Sequence, residues 1–168
     1  KRLQREPWEK LAETFLTVYR VEKKWKERSA ALFRSAEALD HLARCASNAK
    51  DARRSVDRYL QLVRLYPKSS LADDSLCAIA EKMLCQLEQR AARSGYQLHH
   101  TPRVGQALAA KARSAYGARE LRRAVDRAVE QALADQIASG TACVGQHWTA
   151  DCSADGAIVL REDETATL

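Results

Sequence analysis

The feature that most constrains this chain is a change of apolar period near residue 95. From Trp8 to Arg93, apolar residues recur every three or four positions, the spacing of helices that bury one face. At Tyr96 the period drops to two: Tyr96, Leu98 and His100 alternate with Gln97 and His99, as a short strand requires. Helical spacing returns after Thr101, and alternation returns at Trp148, Ala150 and Cys152. A chain with this pattern folds as α+β, mostly α: an antiparallel helical array, then a mixed part holding a short sheet.

In the helical part, Trp8, Leu11, Ala12, Phe15, Val18 and Tyr19 predict a helix to about Glu22, with Pro7 in its first turn. Leu32, Phe33, Ala36, Leu39 and Ala43 predict a second, from about Ser29 to Arg44, followed by a break at Ala46–Ala49. A third, from about Lys50 to Leu65, turns Ala52, Val56, Tyr59, Leu60 and Val63 inward. It stops at Tyr66-Pro67, because a residue before proline is steered out of the helical region. The expected core here includes Trp8, Phe15, Leu32, Leu39, Val56, Leu60 and Val63. A fourth helix starts near Ala72 or Asp73 and runs to about Arg93, and Ser94-Gly95 turns it into the first strand.

Thr101-Pro102 reads as an N-cap followed by proline at the first helical position. After a break at Tyr116-Gly117, one long helix is expected from Ala118 to Ser139, ended by Gly140. Its apolar face is Leu121, Val125, Ala128, Val129, Ala132, Leu133 and Ile137, and its other face carries Arg119, Arg122, Arg123 and Arg127. Strands at Trp148–Cys152 and Ala157–Leu160 flank the Asp155-Gly156 turn and join Tyr96–His100 in one sheet. The chain therefore reads as parts 1–70, 71–161 and a frayed acidic tail, 162–168.

Composition excludes some classes. The chain is 46% hydrophobic and 30% charged with 6 Gly and 3 Pro, unlike collagen or low-complexity disorder. No apolar run reaches the roughly 20 residues of a membrane span. The N-terminus, Lys1-Arg2-Leu3-Gln4-Arg5-Glu6-Pro7, has no initiator Met and no apolar signal core, so a processed or excised fragment is expected. Residues 1–70 hold 17 Lys/Arg against 9 Asp/Glu, and residues 71–168 hold 11 against 13, so balances of +8 and −2 make the net +6. Such a basic half meets nucleic acid, an acidic partner or a membrane surface, or is a solvated face. Lys23, Lys24, Lys26 and Arg28 flank Trp25, but no nucleic-acid motif accompanies them and nucleic acid is not the expected partner. The five Cys form no C-x-x-C pair and the adjacent His99 and His100 point to opposite faces of a strand, so no metal site and a reducing compartment are expected. No nucleophile–base constellation is visible, so no catalytic residue is assigned.

One segment carries a family likeness. Tyr116-Gly117-Ala118-Arg119-Glu120-Leu121-Arg122-Arg123-Ala124-Val125, supported by Leu87-x-x-Arg90-Ala91, Leu98, Thr101-Pro102, Leu133–Gly140 and the Asp155-Gly156 hairpin, resembles the C-terminal small (lid) subdomain of Clp-type AAA+ unfoldases over about Ala72 to Arg161. The resemblance implies that Arg119, flanked by Gly117 and Ala118, is the second-sensor arginine that contacts nucleotide phosphate. It also implies that Arg122, Arg123 and Arg127 face solvent or a neighbouring subunit of a ring. Glu120 departs from the proline of many members. ATP or ADP with Mg is then expected only together with a large AAA+ subdomain, because no G-x-x-x-x-G-K-[ST] occurs here. Gly140 and Gly145 have the glycine spacing, but Gln146-His147 follow. The implied function is that of a non-catalytic C-terminal fragment of a cytoplasmic ATP-dependent unfoldase or chaperone.

The first part resembles tetratricopeptide-type helical repeats of bacterial envelope proteins. The likeness rests on Ala52, Val56, Tyr59, Leu62-Val63, Tyr66-Pro67, Ser69 and Leu71–Leu76. It implies an adaptor that binds a peptide or protein on its concave face, and an envelope or periplasmic location if this part dominates.

Overall fold

The computed structural model describes the backbone of residues 2–46, 48–113 and 118–163, and the side chains of residues 5–45, 48–112 and 119–163. The order is α1 (Arg2–Val21), α2 (Trp25–Ala46), α3 (Ala49–Leu65), α4 (Ser70–Arg93), β1 (Gln97–His100), α5 (Pro102–Arg113), α6 (Ala118–Val125), a π turn (Asp126–Glu130), α7 (Gln131–Ala138), β2 (His147–Cys152) and β3 (Ile158–Glu162). The fold is α+β and mostly α. It divides into two compact units, Lys1–Leu76 and Cys77–Leu168, and the division falls within α4.

In the first unit, α1 packs on α2 and α2 on α3. The pairing is antiparallel: Trp8 stacks on His41, Ser35 Oγ donates to the Ala12 carbonyl, and the Arg28 guanidinium lies over the Tyr19 ring. Leu16, Leu32, Leu39, Leu42 and Leu62 fill the interior, and the buried Ala12, Ala31, Ala36, Ala38 and Ala43 permit close helix approach. Asn48 caps α3 by accepting the Lys50 N–H at 2.9 Å. Two sequence expectations need correction. α1 begins at Arg2, so Pro7 lies inside the helix rather than in its first turn, and Leu11 and Val18 are exposed while Ala12 and Leu16 face inward. The buried residues of α3 are Asp51, Ser55, Tyr59 and Leu62, whereas Val56, Leu60 and Val63 are only half-buried, as are Trp8 and Phe15.

The physical reason lies at Asp51. Positions 51, 55, 59 and 62 form a proper helical stripe, but two of its members are polar. Burial of the Asp51 side chain, 1% exposed, is tolerated because Arg5 Nη2 lies 2.8 Å and Arg54 Nη1 3.3 Å from its carboxylate oxygens. Arg54 also reaches Glu13 at 2.9 Å, which extends the ionic network across α1 and α3.

In the second unit, β1 pairs parallel with β2, and β2 antiparallel with β3. Leu98 is in register with Trp148 and His100 with Ala150; Leu98, Trp148 and Ala150 are buried. α5 lies against β2 and α6. Gly156 adopts φ +78° in the β2–β3 turn, a conformation that side chains disfavour. β3 extends to Glu162, and the Asp163 N–H donates to the His147 carbonyl, so these first tail residues are paired rather than frayed. Residues 164–168 lie outside the described residues.

The expected single helix after residue 117 is interrupted by the π turn. Its buried residues, Leu121, Val125, Val129 and Leu133, recur at every fourth position. At 3.6 residues per turn, each such step overshoots by about 40°, so three steps would carry the stripe about 120° around the axis. A π turn, whose hydrogen bonds span five residues, advances less per residue and recovers much of that drift. No helix among the described residues is long and apolar enough to cross a membrane.

Candidate functional site

α6 is anchored by Leu121 and Val125, both buried. Arg119 precedes Leu121 by two residues, about 200° around the helix, and is exposed. Gly117 and the side chain of Ala118 lie outside the described residues. Arg122 and Arg123 are exposed on the same outward side, and Arg127 is exposed in the π turn. Arg123 Nη1 bonds Glu120 Oε1 at 2.8 Å, so this pair is engaged along the helix. An exposed guanidinium can form charge-assisted, bidentate bonds to phosphate oxygens. Arginines alone do not make the backbone cradle that encloses a phosphate chain.

The Gly140/Gly145 segment supplies no such cradle. The Gln146 side chain accepts the Cys143 N–H, and the chain then enters β2, whereas a phosphate loop opens a helix. Among the described residues, no group of three or more His, Cys, Asp and Glu is placed to hold a metal ion.

The structure also assembles a cluster that sequence reading missed. His100, at the end of β1, places Nδ1 2.7 Å from Glu88 Oε1 and Nε2 2.8 Å from Glu81 Oε2. Burial disfavours its charge, but the hydrogen bonds and the attraction of Glu81 and Glu88 outweigh this and hold its pKa above the ordinary value. Gly105 of α5 makes room, since a Cβ there would collide with Glu81 Oε1. With both ring nitrogens occupied, His100 is a tether between α4 and β1 rather than a base or a ligand. The available signal was Glu81 and Glu88, seven residues apart on one face of α4.

Thr101 stands at the cap of α5, but its hydroxyl donates to Asp151 Oδ1 at 2.7 Å instead of capping the helix. That bond, with the Cys152 N–H, lowers the pKa of Asp151.

Residues 71–150 match the family described as the C-terminal, D2-small domain of ClpB protein. The ATP-dependent Clp protease ATP-binding subunit ClpA homolog of Pyropia yezoensis is 35% identical over 91 residues, which cover 54% of this chain and 11% of that relative. This chain thus corresponds to a small part of the relative's length. The matched range holds Arg119, the His100 tether and the π turn. Over residues 71–150 the chain is thus similar to the C-terminal small domain of Clp-type AAA+ proteins.

Proposed function

We propose that residues 71–161 serve as the small, lid-type domain of an ATP-dependent AAA+ unfoldase or chaperone, and that Arg119, flanked by Gly117 and Ala118, is its second-sensor arginine. The observation that carries this reading is the exposed Arg119 guanidinium at the start of α6, turned away from the anchors Leu121 and Val125, inside the segment that matches the family. The described residues fit one side of a nucleotide site. They offer a phosphate-binding cation without a cradle, so this chain alone is not expected to hydrolyse ATP. ATP with Mg, bound by a large AAA+ subdomain, would supply the phosphoanhydride bond that is cleaved. Arg119 would hold phosphate charge across the subdomain junction, and α6 would pass nucleotide state on as a change of hinge angle. Arg122, Arg123 and Arg127 are the proposed contacts to neighbouring subunits of a ring, with a cytoplasmic location.

A second reading, a helical-repeat adaptor, draws on the antiparallel α1–α3 and on the Tyr66-Pro67 turn, where the Tyr66 N–H bonds the Leu62 carbonyl and the Ser69 N–H bonds the Tyr66 carbonyl.

The test is Arg119→Ala in the full-length ATPase. ATP turnover is expected to fall at least tenfold, while the thermal midpoint of the present chain shifts by an amount equivalent to no more than about 0.5 kcal/mol, as for other exposed positions. Unchanged turnover would remove the assignment.

A further inference from the structure

The first unit presents an unusual surface at one of its ends. Gln61 Nε2 donates to Tyr19 OH at 3.4 Å, and Ser69 Oγ donates to Ser29 Oγ at 3.4 Å. These bonds bring the end of α1, the start of α2 and the end of α3 to the same end of the unit. There Val21 is 72% exposed, Trp25 50% and Leu65 47%. Around them the side chains of Arg20, Lys23, Lys24, Lys26, Arg64 and Lys68 are exposed. Among the exposed acids, Glu27 follows Trp25 by two residues, Asp57 lies two turns before Arg64 on α3, and Asp74 lies near the start of α4. The Glu22 carboxylate instead accepts the backbone N–H groups of Lys23 and Lys24, at 2.8 and 3.0 Å.

Three protruding apolar side chains inside a ring of cations narrow the choice of partner. A nucleic acid gains from stacking on an aromatic ring, but Val21 and Leu65 offer it nothing, and Lys26 Nζ already lies 5.9 Å from the Trp25 ring centroid. An amphipathic peptide docks into a groove between helices, whereas these side chains project outward from helix ends. A lipid interface takes both halves of the pattern: the indole and aliphatic groups enter the headgroup boundary, and the cations meet anionic headgroups.

We propose that this end of the first unit docks reversibly on an anionic lipid surface. The surface lies outside residues 71–150, so the proposal does not depend on the role given to Arg119.

The test is co-sedimentation of the full 168-residue chain with vesicles of phosphatidylcholine alone and of equal parts phosphatidylcholine and phosphatidylglycerol. Binding is expected to the anionic vesicles only and to be lost in high salt. Lys23→Gln/Lys24→Gln/Lys26→Gln should weaken it on the order of a hundredfold, and Val21→Ser/Trp25→Ser about tenfold. Circular dichroism should show both variants folded, since these side chains are exposed. Lys50→Gln/Arg53→Gln, at the other end of α3, should bind as the unaltered chain does. Absence of binding to anionic vesicles, equal binding to neutral ones, or undiminished binding by both end variants would overturn the proposal. So would a single-stranded oligonucleotide or polyglutamate that displaces the vesicles and is itself lost in the same variants, because the surface would then belong to that class of partner.

Discussion

Each unit holds a largely buried ionisable group between two opposite charges, and the two arrangements are mirror images. In the first, the Asp51 carboxylate lies between Arg5 and Arg54; in the second, the His100 imidazole lies between Glu81 and Glu88. The difference is in what can titrate. The partners of Asp51 are guanidinium groups, and arginine keeps its charge at any ordinary pH. The His100 clamp needs an imidazolium, because a neutral ring can donate from only one nitrogen. A similar interior need is thus met by partners of permanent charge in one unit and by a titrating ring in the other.

The largest expected effect tests which face of α3 presents Asp51 to the interior. Leu62→Ala should cost about 2–5 kcal/mol of first-unit stability by denaturant unfolding, and Leu60→Ala clearly less, since Leu62 is fully buried and Leu60 is not. Equal losses would mean that α3 is turned differently. Asp51→Ala should cost about 1–3 kcal/mol, an amount limited because both arginines keep contact with water. A loss no larger than that of an exposed acid would mean that the Asp51 clamp contributes nothing to the first unit.

The His100 clamp should depend on pH. Its folded pKa is raised, so its stabilisation is complete below the ordinary value near 6.5 and is lost as pH rises through the folded value. His100→Gln should therefore cost on the order of 1 kcal/mol at mildly acid pH and progressively less in alkali. Thermal unfolding of the second unit across pH measures this, and a variant loss that grew with pH would contradict the tether.

The contrast between the units extends to how much could be read in advance. Tyr96–His100, Pro102 after Thr101 and Asp155-Gly156 were legible because turn residues and alternation are local signals. The exposure of Arg119 followed from its distance to Leu121 alone. The inward face of α3 was hidden because Asp51 and Ser55 look like surface residues until Arg5, far away in sequence, is placed beside them. The His100 clamp joins residues 12 and 19 apart, across a turn that no helical or strand period spans. Gly105 carries its reason in a side chain of another helix, which a single sequence does not display.

The π turn has a consequence for how this chain can change in length. A π turn amounts to one residue inserted into an α-helix, and here Asp126 and Arg127 within it are exposed. Removing Arg127 would change the spacing of the buried positions from 4-4-4 to 4-3-4, closer to the 3.6 of a regular helix. Deletion of this one residue should therefore leave the second unit folded, with a thermal midpoint near that of the unaltered chain. Deletion of Arg123, before the turn, should shift Leu121 out of step with Val125 and lower the midpoint much further. Between Asp126 and Glu130, the helix can shorten by one residue without surrendering its buried stripe.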